Sequence, residues 1–218
     1  MDNAQILARV DHTLLKATAT LAEILELCGE AVAYNTASAC IPPSYAKAAA
    51  SRYGASLKVC TVIGFPLGYS AAAAKLAELR AADADGAAEF DVVVNLGDVK
   101  NGDFDKVTAE IAELKSAAGG KILKVIVETC YLTQGEKIAL CKCVTDGGAD
   151  FIKTSTGFGT GGAAIEDVRL FKAHVGPGVE IKAAGGIRTK ADMEAFIAEG
   201  ASRIGTSSAV KLLAGGAS

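Results

Sequence analysis

Short apolar segments alternate with longer amphipathic segments along the whole chain. The short segments are rich in valine, isoleucine and phenylalanine and are bounded by glycine or polar residues, which is typical of buried strands. In the longer segments apolar residues recur every three or four positions, and several begin after threonine or aspartate and end at glycine, as helices do. The predicted strands are residues 10–15, 37–41, 58–64, 90–96, 123–129, 151–156, 179–186 and 203–208, and the clearest helical segments are residues 20–34, 104–118, 133–148 and 189–200.

This alternation predicts an α/β fold, and more narrowly a (β/α)8 TIM barrel. About eight strand–helix units in a chain of 218 residues suit such a barrel, which would form a single domain over residues 1–218. An open, doubly wound sheet is the alternative. It needs a glycine fingerprint after the first strand, and "VDHTLLKAT" (10–18) contains no glycine. Apart from the alanine-rich start of a helix at 71–75, no low-complexity segment or linker interrupts the pattern.

Charged residues occur inside several predicted strands, and the alternation of side chains decides which way they point. In the strand at 90–96, Phe90 and Val92 suit packing against the outer helices, which leaves Asp91 pointing into the barrel. The same rule places Lys153 and Lys182 on inner faces. We therefore expect two lysines and an aspartate to meet inside the barrel. Asp11 and Thr13 share one face of the first strand, and Cys40 lies on the second strand, where it either lines the site or is a core thiol.

Two buried lysines side by side favour a specific chemistry. Free lysine has a pKa of about 10.4, and burial next to another cation can lower the pKa of one amine to about 7–8. A neutral amine in a closed pocket attacks carbonyls and forms a Schiff base, which lets a neighbouring carbon–carbon bond break or form. Asp91 would balance the remaining charge and relay protons through water. The pattern predicts class I aldolase chemistry.

Three glycine-rich loops follow the sixth, seventh and eighth predicted strands, at residues 155–163, 185–189 and 205–208. Barrel enzymes often bind phosphate with backbone amides after their last strands, and Ser207 and Ser208 add hydroxyl donors. The loops therefore predict an anion site, although glycine-rich loops are also ordinary turns. The sequence leaves two further roles undecided. Arg188 either reaches the phosphate or lies on the surface, and Lys124 could pair with Glu128 on strand five.

Composition excludes several other classes of function. A net charge of -3 and a pI near 5.5 argue against nucleic-acid binding. No apolar run is long enough to span a membrane and the start of the chain lacks the order of a signal peptide, so we expect a cytoplasmic protein with its six cysteines reduced. With only two histidines, a Cys/His metal cluster is not expected.

Seven motifs taken together make the chain recognisable. They are "DHTLLK", "KVCTVIGFPLG", "EFDVVVNLG", "KVIVETCYLT", "GADFIKTSTGFGTGGA", "IKAAGGIRT" and "GASRIGTSS". The sequence resembles the bacterial deoxyribose-phosphate aldolases over almost its whole length. The resemblance implies a (β/α)8 barrel that splits 2-deoxy-D-ribose 5-phosphate into D-glyceraldehyde 3-phosphate and acetaldehyde, in deoxyribose phosphate catabolism and with no metal or organic cofactor. It also implies a homodimer or homotetramer whose partners are phosphorylated sugars and aldehydes.

The resemblance also assigns roles to individual residues. Lys153 would form the Schiff base, Lys182 would perturb its pKa and take part in proton transfer, and Asp91 would donate and accept protons. Phosphate binding would fall on Gly157, Gly185, Gly186, Gly205, Ser207 and Ser208.

The chain departs from the usual family pattern at Pro42, at Ala88 and in the alanine-rich segment 71–75. These departures affect the expected rate, loop order and stability rather than the reaction class. Three rival functions remain: a class I aldolase for another phosphorylated sugar, a non-catalytic sugar-phosphate sensor and a phosphosugar isomerase. Two buried lysines argue against a sensor, and an isomerase would use a carboxylate base.

Overall fold

Eight parallel strands close into a barrel in chain order in the computed structural model, which describes residues 1–214. Each strand pairs with its neighbours in the chain, and the first pairs with the last, His12 opposite Thr206. The predicted barrel is thus confirmed, and the open-sheet alternative is wrong. The strands are β1 Val10–Thr13, β2 Ser38–Ile41, β3 Val59–Ile63, β4 Glu89–Val93, β5 Ile122–Ile126, β6 Phe151–Lys153, β7 Glu180–Ala184 and β8 Arg203–Thr206.

Helices connect the strands and form the outer layer. They are α1 Asn3–Leu7, α2 Leu21–Ala33, α3 Ala46–Tyr53, α4 Ala72–Ala84, α5 Leu96–Asn101, α6 Phe104–Ala117, α7 Gln134–Asp146, α8 Ile165–His174, α9 Lys190–Glu199 and α10 Ala209–Leu213. A threonine caps the amino end of α2, α7 and α9, and in each case an acidic residue three positions later completes a capping box. None of the helices in residues 1–214 is both long and apolar enough to cross a bilayer.

Every strand except β2, which ends at Ile41 as expected, ends before its predicted end, and the difference matters for the site. The fourth strand was expected to run to residue 96, but it ends at Val93 and Leu96 begins α5. The side chain of Asn95 accepts a hydrogen bond from the Gly97 amide at 3.0 Å, so it caps the helix and turns the chain out of the sheet. The carboxyl ends of the predicted strands are therefore loops around the mouth of the barrel.

The apolar core lies between the barrel and the helices, whereas the barrel interior is charged. Phe90 and Val92 of β4 are buried in the same cluster as Leu79 of α4 and Ile111 of α6. Truncating a side chain such as Phe90 to alanine would cost roughly 3–5 kcal/mol. Asp91, between these two apolar residues, is fully buried on the opposite face. The structure confirms the expected alternation of side chains in β4, which places the Asp91 carboxylate inside the barrel.

Candidate active site

Asp91 contacts three lysines from three different strands. Its Oδ2 accepts hydrogen bonds from Lys153 Nζ at 2.8 Å and from Lys182 Nζ at 2.6 Å. Its Oδ1 accepts from Lys124 Nζ at 2.9 Å, and the Cys60 thiol lies 3.3 Å away. The structure thus brings together the two lysines and the aspartate that strand alternation placed inside the barrel.

The register of the sheet explains why these side chains meet. Lys153 on β6 lies opposite Lys182 on β7, and Asp91 on β4 lies opposite Lys124 on β5. Residues opposite each other in paired strands point to the same side of the sheet, so both pairs point into the barrel at a similar level. The two lysine amines therefore share a single oxygen of Asp91.

Further charged groups extend this cluster toward the amino ends of the strands. Lys182 also pairs with Asp11, and Arg203 donates to Asp11 Oδ1 at 2.6 Å and lies 3.0 Å from Glu89 Oε2. Lys124 lies 2.6 Å from Glu89 Oε2 and 3.4 Å from Asp11 Oδ2. Sequence reasoning placed Asp11 on the right strand but missed Glu89 and Arg203, because nothing local shows that residues so far apart in the chain converge.

Counting charges in the cluster singles out one lysine. Three carboxylates (Asp11, Glu89 and Asp91) face four basic groups (Lys124, Lys153, Lys182 and Arg203). The cluster therefore balances when one basic group is neutral, which a buried site favours. Lys153 pairs with a single carboxylate, whereas each of the other three pairs with two or more. It also lines the open cavity above the cluster, so it is the amine best placed to meet a substrate.

Electrostatic attraction overcomes burial for the neighbours of Lys153. Burial raises the pKa of the Asp91 carboxyl, but Lys124, Lys153 and Lys182 outweigh it and hold that pKa well below its usual range. Burial likewise lowers the pKa of Lys182, but the charges of Asp11 and Asp91 raise it above the usual value. Lys182 is thus protonated and Asp91 ionised in the resting protein at neutral pH.

A cavity of about 530 Å3 opens at the carboxyl ends of the strands, with Lys153 in its lining. Arg188 also lines this cavity, and its side chain is exposed to solvent. Leu14, Leu15 and Phe158 supply an apolar part of the wall. The six residues expected to bind phosphate all lie in the lining: Gly157, Gly185, Gly186, Gly205, Ser207 and Ser208.

The glycines of these loops are needed for conformation and for space. Gly185 and Gly186 have φ values of +87° and +78°, which residues with a side chain rarely adopt, so the chain can turn sharply after β7. At Gly205 a Cβ atom would lie 2.9 Å from Ala184 Cβ and 3.1 Å from Lys182 Cε. A side chain there would push against the cationic lysine of the cluster.

Glu128 holds the loop that follows β6, a role that sequence reasoning missed. Its buried carboxylate accepts hydrogen bonds from the Thr156 amide at 3.3 Å and from the Thr156 hydroxyl. The predicted pair between Lys124 and Glu128 is wrong, because Lys124 reaches across the barrel to Asp91 and Glu89 instead. The sequence shows only an acidic residue at the end of a predicted strand, which does not identify this role.

The cysteines near the cluster are buried and lie below the cavity. Cys40 packs with Cys60 and Val62 and does not line the cavity, so it is a core thiol. Cys60, with Asp91 and Cys40, offers one possible set of metal ligands, and with Asp11 and Glu89 another. The Lys124 ammonium lies 3.3 Å from Cys60 Sγ and 2.9 Å from Asp91 Oδ1. A divalent cation does not fit beside this fixed positive charge, so the donor set does not suit a metal site.

Comparison with known proteins agrees with this geometry. The model of the DeoC/LacD family aldolases matches residues 5–216. The chain is 60% identical over 215 residues to the deoxyribose-phosphate aldolase of Clostridium botulinum, a match that covers 99% of this chain and 97% of that protein. It is 56% identical over 208 residues to the corresponding protein of Clostridioides difficile, covering 95% of each.

Solved structures give the same result. The deoxyribose phosphate aldolase from Aeropyrum pernix, described as having a unique tetrameric structure, superimposes with a TM-score of 0.90 at 34% identity. That comparison covers 98% of this chain and 91% of the other. Since both the family match and the relatives extend over nearly the full length, the chain belongs to the DeoC/LacD family of aldolases.

Proposed function

We propose that this chain reversibly cleaves 2-deoxy-D-ribose 5-phosphate to D-glyceraldehyde 3-phosphate and acetaldehyde, through a Schiff base on Lys153. The observation that carries the proposal is the position of Lys153. Its amine shares one oxygen of Asp91 with a second lysine, and it lines a cavity whose other walls are glycine- and serine-rich loops. The close relatives named above are deoxyribose-phosphate aldolases, which fixes the substrate class.

The reaction begins at the aldehyde carbon of the open-chain sugar. The neutral amine of Lys153 attacks C1, and loss of water from the carbinolamine leaves a protonated imine. The C3 hydroxyl passes its proton to water relayed by Asp91, and the C2–C3 bond breaks. Its electron pair forms the C1=C2 double bond of an enamine as the imine nitrogen takes up the imine electrons, and glyceraldehyde 3-phosphate leaves. The same relay returns a proton to C2, and water hydrolyses the imine to release acetaldehyde and the free amine.

Lys182 and Asp91 support these proton transfers. Lys182 is a cation beside the reacting amine, so it can donate a proton to the oxygen that leaves the carbinolamine as water. Asp91 links the two amines through one oxygen and returns the proton through water. The same carboxylate stabilises the protonated imine when it forms on Lys153, because the charge then appears 2.8 Å from Asp91 Oδ2.

The loops after β6, β7 and β8 would hold the phosphate at the far end of the sugar. Backbone amides of Gly185 and Gly186 and the hydroxyls of Ser207 and Ser208 are the proposed donors, and Gly157 and Gly205 leave room for the anion. Binding energy from this end would position C1 against Lys153. We also propose that the protein acts in the cytoplasm as a homodimer or homotetramer.

An assay of aldehyde release tests the proposed substrate. Deoxyribose 5-phosphate is incubated with the protein and the acetaldehyde formed is followed with a nicotinamide-dependent reporter. We expect turnover by the wild type and only background with Lys153→Ala. An aldolase for another sugar would release no acetaldehyde here, and a sensor would bind the sugar without turnover. An isomerase would consume the substrate without producing any aldehyde for the reporter.

A further inference from the structure

The proposed phosphate site has few charges for a strongly charged ligand. A phosphate monoester carries about -1.5 to -2 charges at neutral pH. The amides of Gly185 and Gly186 and the hydroxyls of Ser207 and Ser208 are uncharged donors, so among the loops after β6, β7 and β8 only Arg188 brings a positive charge to the cavity. At least one further cation would be expected near the anion.

Barrel closure brings a lysine from the start of the chain to this site. β1 pairs with β8, His12 opposite Thr206, so the loop after β1 lies beside the loop that carries Ser207 and Ser208. Lys16 belongs to that first loop and lines the same cavity. It is 191 positions away from Ser207 in the chain, which is why the glycine-rich motifs gave no sign of it.

The side chain of Lys16 is available for a ligand. It is exposed, and within residues 1–214 it forms no ion pair. The acid that feels its charge is Glu23, but the Glu23 carboxylate already accepts hydrogen bonds of 2.7 Å from the amide and the hydroxyl of Thr20 in the cap of α2. A flexible ammonium without a fixed partner can close over an anion bound beside it.

We propose that Lys16 binds the substrate phosphate from the loop after β1, beside the loop that carries Ser207 and Ser208, and so makes the enzyme prefer phosphorylated over unphosphorylated sugars. This inference rests on the proposed aldolase function. Lys16 touches the phosphate end of the substrate and takes no part in the chemistry at Lys153. Its contribution should therefore appear in substrate binding more than in turnover.

The matched variants Lys16→Met and Lys47→Met test the proposal. Lys47 is an exposed lysine of α3 outside the cavity, so its replacement removes the same charge elsewhere. In Lys16→Met we expect KM for deoxyribose 5-phosphate to rise about fivefold or more, as for the loss of one charge-assisted contact. The loss of kcat/KM on unphosphorylated deoxyribose should be much smaller, and added salt should raise KM less steeply than in the wild type. Lys47→Met should match the wild type in each measurement.

Direct binding of inorganic phosphate, measured by calorimetry without any sugar, separates this proposal from the proposed activity. Phosphate affinity that falls in Lys16→Met but not in Lys47→Met supports the role of Lys16, even if the wild type fails to cleave deoxyribose 5-phosphate. The role of Lys16 would be overturned if Lys16→Met bound phosphate as tightly as the wild type. It would also be overturned if Lys16→Met lost kcat/KM equally on deoxyribose 5-phosphate and on deoxyribose. A wild type that binds no inorganic phosphate would also overturn the proposal.

Discussion

The two oxygens of Asp91 contact different members of the buried cluster. Oδ1 contacts Lys124, which also pairs with Glu89, whereas Oδ2 contacts Lys153 and Lys182. Oδ1 thus pairs with a lysine away from the cavity, whereas Oδ2 contacts the reacting amine of Lys153. Asp91→Asn would keep the shape but remove the negative charge that pairs with both Lys124 and Lys182, and breaking buried pairs in this way commonly costs about 3–5 kcal/mol.

The charge count makes a prediction about Lys182. With Lys182 present the cluster balances when Lys153 is neutral, but in Lys182→Met it balances only when Lys153 is protonated. We therefore expect imine trapping by acetaldehyde and a hydride reductant to fall by about tenfold or more at neutral pH and to recover partly as pH rises. Methionine is similar in volume to lysine, so the change leaves no cavity. A trapping profile of Lys182→Met that overlays the wild type across pH would contradict the argument from charge balance.

The strands and their inner faces could be predicted from sequence because both depend on local patterns. Alternation in β4 was enough to point Asp91 inward, and the lysines of β6 and β7 followed by the same rule. The strand ends could not be predicted, because apolar residues continue past Val93 until the Asn95 cap turns the chain. The partners of Lys124 could not be predicted either, since they depend on how the barrel closes rather than on neighbours in the chain.

The loops after β7 and β8 carry a second prediction. Thr206 donates to the carbonyl of Ile187 at 2.8 Å and accepts from the Ser208 amide at 3.2 Å, so these two loops are held together. A glutamate at position 208 would place a negative charge where the phosphate is proposed to bind. In Ser208→Glu we expect KM for deoxyribose 5-phosphate to rise by about one to two orders of magnitude. The loss of kcat/KM on unphosphorylated deoxyribose should be much smaller. Steady-state kinetics on both sugars measures this, and equal losses would show damage to the barrel instead.

Closure of the barrel is what assembles residues from both ends of the chain. Asp11 of β1 and Arg203 of β8 lie in neighbouring strands and pair at 2.6 Å. The three departures from the family pattern lie outside the cavity lining: Pro42 precedes a short turn of 3-10 helix at Pro43–Tyr45, Ala88 precedes β4, and residues 71–75 begin α4. They do not touch Asp91, Lys153 or Lys182, as expected from the sequence.

The buried cluster should also make stability depend on pH at both extremes. Burial opposes the charged forms, but attraction holds the pKa values of Asp11 and Asp91 below, and those of Lys124 and Lys182 above, their usual values. The carboxylates therefore stabilise the fold above the unfolded-state pKa of about 4, and this contribution is lost as pH falls through the folded-state values. The lysines stabilise it below about pH 10, and their contribution is lost as pH rises further.

Urea unfolding followed by circular dichroism across pH tests this dependence. We expect a plateau in the free energy of unfolding between about pH 5 and pH 10, with a loss on either side. Asp11→Asn should lower the plateau by about 3–5 kcal/mol, because it strips buried cations of a partner, and should make the acid limb shallower. An acid limb of unchanged slope in Asp11→Asn would show that Asp11 is not ionised in the folded protein.

Covalent trapping tests the assignment of Lys153 most directly. The wild type is incubated with acetaldehyde and a hydride reductant at neutral pH, and the product is analysed by intact mass and peptide mapping. We predict one added ethyl group, located on Lys153, and none in Lys153→Ala treated in the same way, because Lys182 is held as a cation by Asp11 and Asp91. An adduct on Lys182 with Lys153 unmodified would contradict the assignment of the nucleophile.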